Sequence, residues 1–379
     1  MPVKLLINYD KNQRRILYLK DDHVLDVDFE DFSLNAPLFA RLDQIFWGRI
    51  LDMTPGHAFV KIAENEVGLL PLDPSFPKLN EGQAVLVQVR REAIPDKGTH
   101  HKGPLLTQKI NFAGRYCLFH PFQKRRVLSS KLKDIGIRNR LQSLLSFDEP
   151  ITLREAAGSA TPEQICAEIS ILKKKFSDFK TIPTKVPFQL TDTLLPYERW
   201  MRDMEPSEEN LILVDHDQTL TDIRHFLNNH RPDLLPFTKK YKGSLLKDYG
   251  FEDMWDSLFA ERIDLPTGGN IVMEITTACI AIDVNSGERS TRTQQETNLA
   301  AIPLIIQHLK WRHLGGNIII DFMGLESATQ NRKVLEKQLL HQAALYDLSL
   351  DIFGWSRLGW IEARLPKRRR PLPYRTQTI

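Results

Sequence analysis

The alternation of hydrophobic and polar residues near the start of the chain predicts antiparallel strands. Residues 14–20 and 23–29 alternate around Asp21-Asp22, a pair suited to a tight turn. Between residues 37 and 105, short apolar runs follow one another and are separated by glycine and proline. Short strands with frequent turns are typical of a small barrel. We therefore expect a hairpin followed by a barrel.

Two apolar runs in the last third of the chain predict neighbouring parallel strands. Residues 278–283 and 317–321 are unbroken apolar runs that end in Asp283 and Asp321, as in strands covered on both faces. Residues 296–316 between them carry apolar side chains at helical spacing and end in a glycine pair that suits a helix terminus. A strand–helix–strand unit makes a right-handed crossover, so both aspartates are expected at one edge of the sheet.

This pair of aspartates predicts a divalent-cation site. Carboxylates that meet at one edge repel each other unless a positive charge lies between them. Magnesium prefers oxygen ligands, takes one or two carboxylates and keeps several waters. The alternative for each aspartate alone is that it caps the following turn or helix. The register of Asp283 with Asp321, and the amide of Asn285 beside them, favour the metal interpretation.

The distribution of charge is more informative than its sum. The chain has 379 residues, enough for two to four domains, and its net charge is only +3. However, Arg115 to Arg140 contains eight Lys/Arg against one acid, and Arg364 to Arg370 contains five basic residues in seven. Such clusters suit a polyanion, although a basic run is more often a solvated face.

Cysteine usage and hydropathy indicate a soluble protein of the cytoplasm. Cys117, Cys166 and Cys279 are far apart and form no CxxC pair, which suggests reduced thiols and no zinc knuckle. We read no signal peptide at the start and no apolar run near the ~20 residues that cross a bilayer. We expect no membrane association.

Several motifs resemble the ribonuclease E/G family. "AIDVNSG" resembles that family's catalytic AIDINS strand, and "LGGNIIIDFMG" resembles its LGGLIVIDFID segment. Three further segments match family landmarks in the same order, namely "LPTGGNIVME", "ETNLAA" and "GWSRLGWIEARL". The likeness covers nearly the whole chain.

The resemblance implies an α/β protein of several subdomains. An OB-type RNA-binding barrel (37–105) would be inserted in a ribonuclease-H-like subdomain (1–36 and 195–257). A 5′-sensor-like subdomain (106–194) would follow the barrel. A DNase-I-like α/β catalytic subdomain with a basic tail (258–379) would complete the chain.

The resemblance also implies an endoribonuclease. Such an enzyme cuts single-stranded RNA with Mg²⁺, or with Mn²⁺ as a substitute, and leaves a 5′-phosphate and a 3′-hydroxyl. Its partners would be rRNA or mRNA precursors in RNA processing or decay. Asp283 and Asp321 would hold the metal, and Asn285 would orient the scissile phosphate or the attacking water. The alternative from another class is an RNA-binding protein of the same fold with little or no cleavage.

The RNA contacts that the resemblance implies are spread over the chain. Phe59 matches a base-stacking aromatic of the barrel, although ordinary barrel core explains it equally well from the residues alone. The second aromatic of that platform is replaced by Leu69. The full set of implied RNA-binding residues is Phe59, Arg91, Gly103, Arg154 and Arg357.

Further departures from the family pattern affect the metals. The family's zinc-binding cysteine pair is missing from "RLPKRRRPLPYRTQTI", so we expect no zinc and no zinc-linked assembly, and we leave the oligomeric state open. Gly324 stands where the family has a further acid, and Glu326 is a nearby substitute.

A departure at the 5′-sensor concerns the residue after Arg154. Glu155 replaces a neutral donor, and its carboxylate is expected to pair with the Arg154 guanidinium and repel a phosphate. We therefore expect little discrimination between 5′-monophosphate and 5′-hydroxyl RNA.

One short motif suggests a different enzyme. Residues 211–220 form an apolar strand followed by Asp-x-Asp-x-Thr, the pattern of haloacid-dehalogenase-type phosphatases. In that hypothesis Asp215 is the nucleophile and Asp217 the acid/base. The spacing is short enough to arise by chance, so this is the weakest of the three hypotheses.

Overall fold

The computed structural model describes residues 2–32, 40–94, 102–144, 149–190, 194–266, 268–287, 293–324 and 329–372. Its strands are β1 (Val3–Asp10), β2 (Gln13–Lys20), β3 (His23–Asp31), β4 (Ile45–Thr54), β5 (His57–Ala63), β6 (Glu66–Pro71), β7 (Ala84–Arg91), β8 (Leu105–Thr107), β9 (Phe112–Ala113), β10 (Cys117–Phe119), β11 (Val127–Leu128), β12 (Ile151–Leu153), β13 (Phe188–Gln189), β14 (Leu211–Val214), β15 (Thr238–Lys240), β16 (Arg262–Asp264), β17 (Asn270–Ile275), β18 (Cys279–Asn285), β19 (Gly316–Asp321), β20 (Asp351–Trp355) and β21 (Ile361–Leu365). Its helices are α1 (Ile135–Leu144), α2 (Pro162–Phe179), α3 (Pro196–Asp203), α4 (Asp217–His230), α5 (Leu245–Asp248), α6 (Glu252–Ser257), α7 (Gln294–Trp311) and α8 (Thr329–Leu345), with 3₁₀ turns at Glu155–Gly158 and Pro232–Phe237.

The chain divides into two compact units. The first consists of Met1–Pro37, Pro95–His101 and Ser207–Ile379, and the second of Leu38–Ile94 and Lys102–Pro206. Both combine helices with β-sheets, so the fold is mixed α/β. The finer subdomain boundaries, and their ribonuclease-H-like and DNase-I-like assignments, stay predictions.

The first unit begins with the expected hairpin. Strands β1, β2 and β3 pair antiparallel, and β14 and β15 extend the sheet parallel to β1. Asp21 and Asp22 have φ angles of 49° and 62° at the turn between β2 and β3. Aspartate tolerates this left-handed region better than most residues, which explains the pair at a two-residue turn.

A second sheet of the first unit contains the two apolar runs. Its strand order is β16-β17-β18-β19-β21-β20, and β18 pairs parallel with β19 as predicted. One face carries buried residues such as Ile282 and Ile320, which pack in one core with α7 and α8. The other face is less covered, since Ala281 and Ile319 are only half-buried. The expectation of cover on both faces is therefore wrong, and the open face leaves room for polar side chains.

Helix α7 differs from the sequence expectation at both ends. The apolar pattern together with Pro303 favours a helix that begins near Ile302 or bends there. The helix begins at Gln294 and continues through Pro303, so the start near Ile302 is wrong, and a bend at Pro303 stays a prediction. It ends before the glycine pair, because His313 adopts a φ of 54° and the N–H of Leu314 donates to the Leu309 carbonyl at 2.9 Å. These are the features of a Schellman terminus.

The second unit contains the predicted barrel. Strands β4, β5, β6, β8 and β7 pair in that order, and β7 pairs with β4 to close a five-stranded, OB-like barrel. Buried apolar side chains such as Val60, Val87 and Leu106 fill it. Alternation along β5 therefore places Ala58 and Val60 inside and Phe59 outside.

The rest of the second unit packs helix α2 on a small sheet. This sheet has the order β11-β12-β10-β9, and its core includes Ile151, Leu153 and Ile165. Among the helices formed by the described residues, none has the length and apolar character that a membrane crossing requires.

Candidate active site

The two strand-end aspartates meet in the structure. Asp283 of β18 and Asp321 of β19 are register partners on adjacent parallel strands, which lie about 4.8 Å apart. Both side chains are exposed. They line a cleft of about 310 Å³ together with Met323, Gly324, Leu358 and other residues of the same unit. The expectation that both aspartates lie at one edge of the sheet is confirmed.

Each of the two carboxylates has one oxygen held by a side-chain donor. The Asn285 amide donates from Nδ2 to Oδ2 of Asp283 at 2.9 Å, and the Trp360 indole donates from Nε1 to Oδ2 of Asp321 at 2.9 Å. Within the described residues, no partner engages either Oδ1 atom, and neither aspartate accepts a backbone N–H. The capping alternative is therefore wrong for both residues.

The carboxylate pair fits a magnesium ion. Magnesium typically takes one or two carboxylates and completes its octahedral shell with water. The two unengaged oxygens supply such a set on the open face of the sheet. In the described part of the chain, no three histidine, cysteine or acidic side chains come together as a metal site. With the described residues alone, a site built on this pair would take water for its remaining ligands.

A buried asparagine holds the segment that follows Asp321. Asn298 of α7 is fully buried, accepts the N–H of Met323 at 3.0 Å and donates to the Met323 carbonyl at 2.9 Å. At the start of the same helix, Thr293 and Glu296 form a capping box. The "ETNLAA" motif thus both starts α7 and fixes the backbone beside the cleft.

Gly324 adopts a left-handed backbone conformation. Its φ is 65°, in the region that L side chains rarely adopt, and an added Cβ would collide with the Gln294 side chain. An acid at this position would have to keep this left-handed conformation and displace the end of the Gln294 side chain. Glu326, the substitute that the sequence suggests, lies outside the described residues.

The exposed aromatic of the barrel stands on its outer surface. Phe59 is 39% exposed, so the barrel-core alternative is wrong. Phe59 on β5 pairs with Leu69 on β6, and Leu69 pairs with Leu105 on β8. Leu105 also pairs with Arg91 on β7. The register therefore aligns Phe59, Leu69 and Arg91 in one row across the barrel.

Gly103 belongs to the barrel. An added Cβ there would collide with the carbonyl oxygen of Val67, so glycine permits a close backbone approach. The Gly103 carbonyl accepts a long hydrogen bond of 3.4 Å from Arg91. Burial lowers the pKa of Arg91 below its usual value. Arg154 donates instead to the carbonyl of Gly114, at 2.6 Å. Gly103 therefore contacts Arg91 of the barrel and is not the carbonyl that Arg154 contacts.

The partner of Arg154 differs from the sequence expectation. Its guanidinium makes two hydrogen bonds of 2.8 Å to the carboxylate of Asp203, which also accepts two from Arg202. Burial raises the pKa of Asp203, but the hydrogen bonds from both arginines lower it below its usual value overall. Glu155 instead accepts a hydrogen bond from Ser129. The expectation that Arg154 pairs with Glu155 is wrong, because the Arg154 guanidinium makes a bidentate ion pair with Asp203 of α3.

Arg357 is exposed and lies in the turn between β20 and β21. The next two residues, Leu358 and Gly359, line the cleft beside the aspartates. Trp360 begins the return of the chain toward β21 and donates to Asp321. This turn therefore brings one cation of the predicted RNA-binding set close in sequence to the carboxylate pair.

The cations of the two basic clusters fall into two groups, those that bond to the fold and those that are exposed. Arg138 donates to the carbonyls of Ser129 and Leu132, and Arg369 pairs with Asp28 at 3.5 Å, so these cations support the fold. Other cations of the two clusters are exposed, namely Lys124, Arg125, Arg126, Lys131, Lys133, Arg364, Lys367 and Arg368.

The phosphatase hypothesis receives no support from the geometry. Asp215 accepts a hydrogen bond on each oxygen, from the Tyr9 N–H at 2.8 Å and from Asn8 Nδ2 at 2.6 Å. Asp217 pairs with Lys240 on the surface. Asp215 lines a cavity of about 350 Å³, but Asp217, the acid/base of that hypothesis, is not among its lining residues. The two aspartates are used by the fold instead.

The fold and the site together define a mixed α/β protein that combines an OB-like barrel, bearing an outward aromatic, with a strand-end carboxylate pair. Residues 111–368 match the family model described as Ribonuclease E/G family. The chain belongs to the ribonuclease E/G family.

Individual relatives carry the names of two ribonucleases. Ribonuclease E of Haemophilus influenzae is 29% identical over 394 residues, which cover 95% of this chain and 41% of that protein. Ribonuclease E of a Nostoc species is 30% identical over 84% of this chain and 51% of its own length. Ribonuclease G of Escherichia coli K12 is 24% identical over 99% of this chain and 82% of its own length. The chain thus spans about half, or less, of the ribonuclease E relatives.

The sequence reasoning missed three residues that shape these sites. They are Asn298, Trp360 and Asp203. The "ETNLAA" landmark includes Asn298, and "GWIEARL" includes Trp360, so both stood in segments that the resemblance marks. No sequence signal indicates Asp203.

Proposed function

We propose that the protein is an endoribonuclease that cleaves single-stranded RNA with Mg²⁺. The observation that carries this proposal is the register pair of Asp283 and Asp321, each with one oxygen held by a donor and one left unengaged. The membership in the ribonuclease E/G family supports an RNA phosphodiester as the substrate. Hydrolysis would leave a 5′-phosphate and a 3′-hydroxyl.

The chain's own residues would position the reactants. A bound Mg²⁺, or Mn²⁺ in its place, would lower the pKa of a water and neutralise charge on the phosphate. The Oδ1 atoms of Asp283 and Asp321 would hold the cation. The Asn285 side-chain amide donates one N–H to Asp283. Because an amide has two N–H donors and an oxygen acceptor, its second N–H and its side-chain oxygen remain for other partners. That remaining capacity suits a scissile phosphate or the attacking water.

The substrate would enter as a single strand. Phe59 offers a stacking face, Arg91 and Arg357 offer positive charge, and stacking accepts any base. The substrates would be rRNA or mRNA precursors in the cytoplasm.

The alternative function is RNA binding with little or no cleavage. Gly324 favours it, because the family's extra acid is absent at this position. A single experiment separates the two functions. Purified protein is incubated with a 3′-labelled single-stranded RNA, with Mg²⁺ or with EDTA, and the new 5′ ends are tested for phosphate. Cleavage only with Mg²⁺, giving 5′-phosphates, is expected; stable binding without cleavage would establish the alternative.

RNA affinity is expected to fall steeply with salt. Each phosphate that is neutralised contributes about 0.7 to the slope of log affinity against log salt for a single strand. The exposed cations Lys367 and Arg368 belong to the set that would contact phosphates. The double variant Lys367→Ala/Arg368→Ala should therefore reduce the slope by about 1.4, from two contacts. A wild-type affinity that stays flat between low and physiological salt would contradict electrostatic binding.

Little discrimination between 5′-monophosphate and 5′-hydroxyl RNA is expected. A phosphate that approaches Arg154 must displace the bidentate Asp203 carboxylate, which costs charge-assisted hydrogen bonds. The ratio of cleavage rates on the two RNAs should stay below about tenfold, or 1.4 kcal/mol. Asp203→Asn should raise the ratio more than Glu155→Thr does. A wild-type ratio well above tenfold would show that Arg154 exchanges Asp203 for phosphate without difficulty.

Loss of the Trp360 indole N–H is expected to weaken metal binding. Donors that hold a metal-ligating carboxylate typically contribute about 10- to 100-fold to metal affinity. Trp360→Phe keeps an aromatic ring and removes the bond to Asp321. Mn²⁺ affinity, measured by electron paramagnetic resonance without RNA, should fall about tenfold. The matched control is Trp355→Phe, which removes an indole bond to Glu336 instead. Equal Mn²⁺ affinity in the two variants would remove Trp360 from the site.

A further inference from the structure

A half-exposed phenylalanine is presented by an anchored turn in the second unit. Phe122 is 41% exposed and follows the buried His120 by two residues. The N–H of Gln123 donates to the His120 carbonyl at 2.9 Å, which closes the turn. The two ring nitrogens of His120 are hydrogen-bonded to Asn111 and Thr152 at 2.6 and 2.8 Å. The backbone that carries Phe122 is therefore fixed to the neighbouring sheet.

Two further aromatic rings support Phe122 from within the same unit. Phe76, between β6 and β7, has its ring centroid 5.4 Å away. Phe176 of α2 lies 5.3 Å away and meets the ring edge-on, at 86° between the planes. Aromatic contacts of this kind favour a defined ring orientation. The exposed part of Phe122 is thus a supported aromatic surface and not a loose side chain.

The same turn continues into three cations. Lys124, Arg125 and Arg126 follow directly and are exposed. Within the described residues, neither Lys124 nor Arg125 has an ion-pair partner. Lys180 adds a further positive charge, with Nζ 4.8 Å from the centroid of the Phe176 ring. An aromatic surface bordered by unpaired positive charge is complementary to a nucleic acid strand.

We propose that this patch, formed by Phe122, Lys124 and Arg125, is a second contact for single-stranded RNA. An unpaired base stacks on the Phe122 ring while the two cations contact the adjacent phosphates. Base stacking of this kind tolerates any sequence, because every base has a π-face. A duplex is excluded, because its bases are already stacked within the helix and do not offer a face. The inference rests on the proposed function, since it adds a contact for the same class of substrate.

The test compares two phenylalanines of equal exposure. Phe122→Leu keeps an apolar side chain but lacks the aromatic face. Phe259 is also 41% exposed and also packs edge-on against an aromatic ring, that of Trp255, so Phe259→Leu is the matched control. Binding of a fluorescent RNA of about 15 nucleotides is measured in EDTA, as a single strand and as a duplex. Phe122→Leu should weaken single-strand binding about tenfold and leave duplex binding unchanged, whereas the control should change neither.

A second variant tests the cations. Lys124→Ala/Arg125→Ala should lower the salt slope of single-strand binding by about 1.4, from two phosphate contacts. If Phe122→Leu fails to fold, photocrosslinking of a 4-thiouridine RNA to the wild-type protein replaces it. The expected crosslinked peptide contains Phe122, and crosslinks confined to other peptides would overturn the proposal.

The outcomes separate this inference from the proposed function. Single-strand affinity of Phe122→Leu equal to that of Phe259→Leu would overturn the second contact. An equal loss of single-strand and duplex binding would also overturn it, because stacking would not be the cause. If the wild type still cleaves RNA in either case, the proposed function stands. A wild type that binds no single-stranded RNA at all would overturn both.

Discussion

Replacing either strand-end aspartate with asparagine is expected to abolish cleavage while RNA affinity stays nearly unchanged. Asparagine keeps the size of the side chain but removes the charge that a divalent cation requires. Removal of a central electrostatic group typically lowers the catalytic rate by about 10²–10³-fold, and a lost metal ligand is expected to reach at least that range. Rates with Mg²⁺ and RNA affinities in EDTA are compared for wild type, Asp283→Asn and Asp321→Asn.

The matched control for these variants is another aspartate of the same fold. Asp264→Asn lies on β16, where Asp264 is exposed and pairs with Arg262 on its own strand. It should cleave at the wild-type rate. Full activity in Asp283→Asn or Asp321→Asn would remove the carboxylate pair from the reaction. Loss of activity in all three variants would point to general damage.

Removing the carboxylate of Glu30 is expected to destabilise the first unit by about 3–5 kcal/mol. Glu30 pairs with Arg14 at 2.7 Å, and the two side chains are only 2% and 9% exposed. Glu30→Ala would leave the buried guanidinium without its carboxylate, and an uncompensated buried charge is costly. Strand β3, which carries Glu30, packs against α7, the helix that supplies Asn298 to the site. The measurement is the urea dependence of unfolding followed by tryptophan fluorescence.

An exposed ion pair of the same sheet provides the control. Asp22 pairs with Lys4 at 2.5 Å, but its side chain is 74% exposed. Asp22→Asn should change stability by less than about 1 kcal/mol, because water screens the pair. The double variant Arg14→Met/Glu30→Leu should recover most of the loss, since apolar residues of similar size often replace a buried ion pair at little cost. An equal effect of Glu30→Ala and Asp22→Asn would contradict this account.

The sequence predicts those parts of the fold that depend on local pattern. Alternation and turn residues indicate the hairpin at Asp21-Asp22 and the barrel strands, because side-chain direction repeats every two residues in a strand. Two apolar runs joined by a helix indicate a right-handed crossover, which is why the meeting of Asp283 and Asp321 was predictable over a long separation. The resemblance added residue roles that no spacing rule supplies.

The parts that escaped the sequence depend on contacts between distant segments. Asp203 reaches Arg154 across 49 positions and Trp360 reaches Asp321 across 39, and neither pair follows from periodicity. The end of α7 is similar. His313 adopts the left-handed conformation although glycines follow it, and the hydrogen bond that ends the helix joins two buried residues, Leu314 and Leu309. Tertiary packing decided these positions over local preference.

The most direct test of the central claim uses a circular single-stranded RNA. A circle has no ends, so only an endonuclease can open it. The missing 5′-phosphate should not prevent cleavage, because we expect the cleavage rate to depend little on that group. The wild-type protein with Mg²⁺ should convert the circle first into a unit-length linear strand that carries a 5′-phosphate and a 3′-hydroxyl. Asp283→Asn and Asp321→Asn should leave the circle closed. A circle that persists with wild-type protein and Mg²⁺, or one that both variants open at the wild-type rate, would contradict the account.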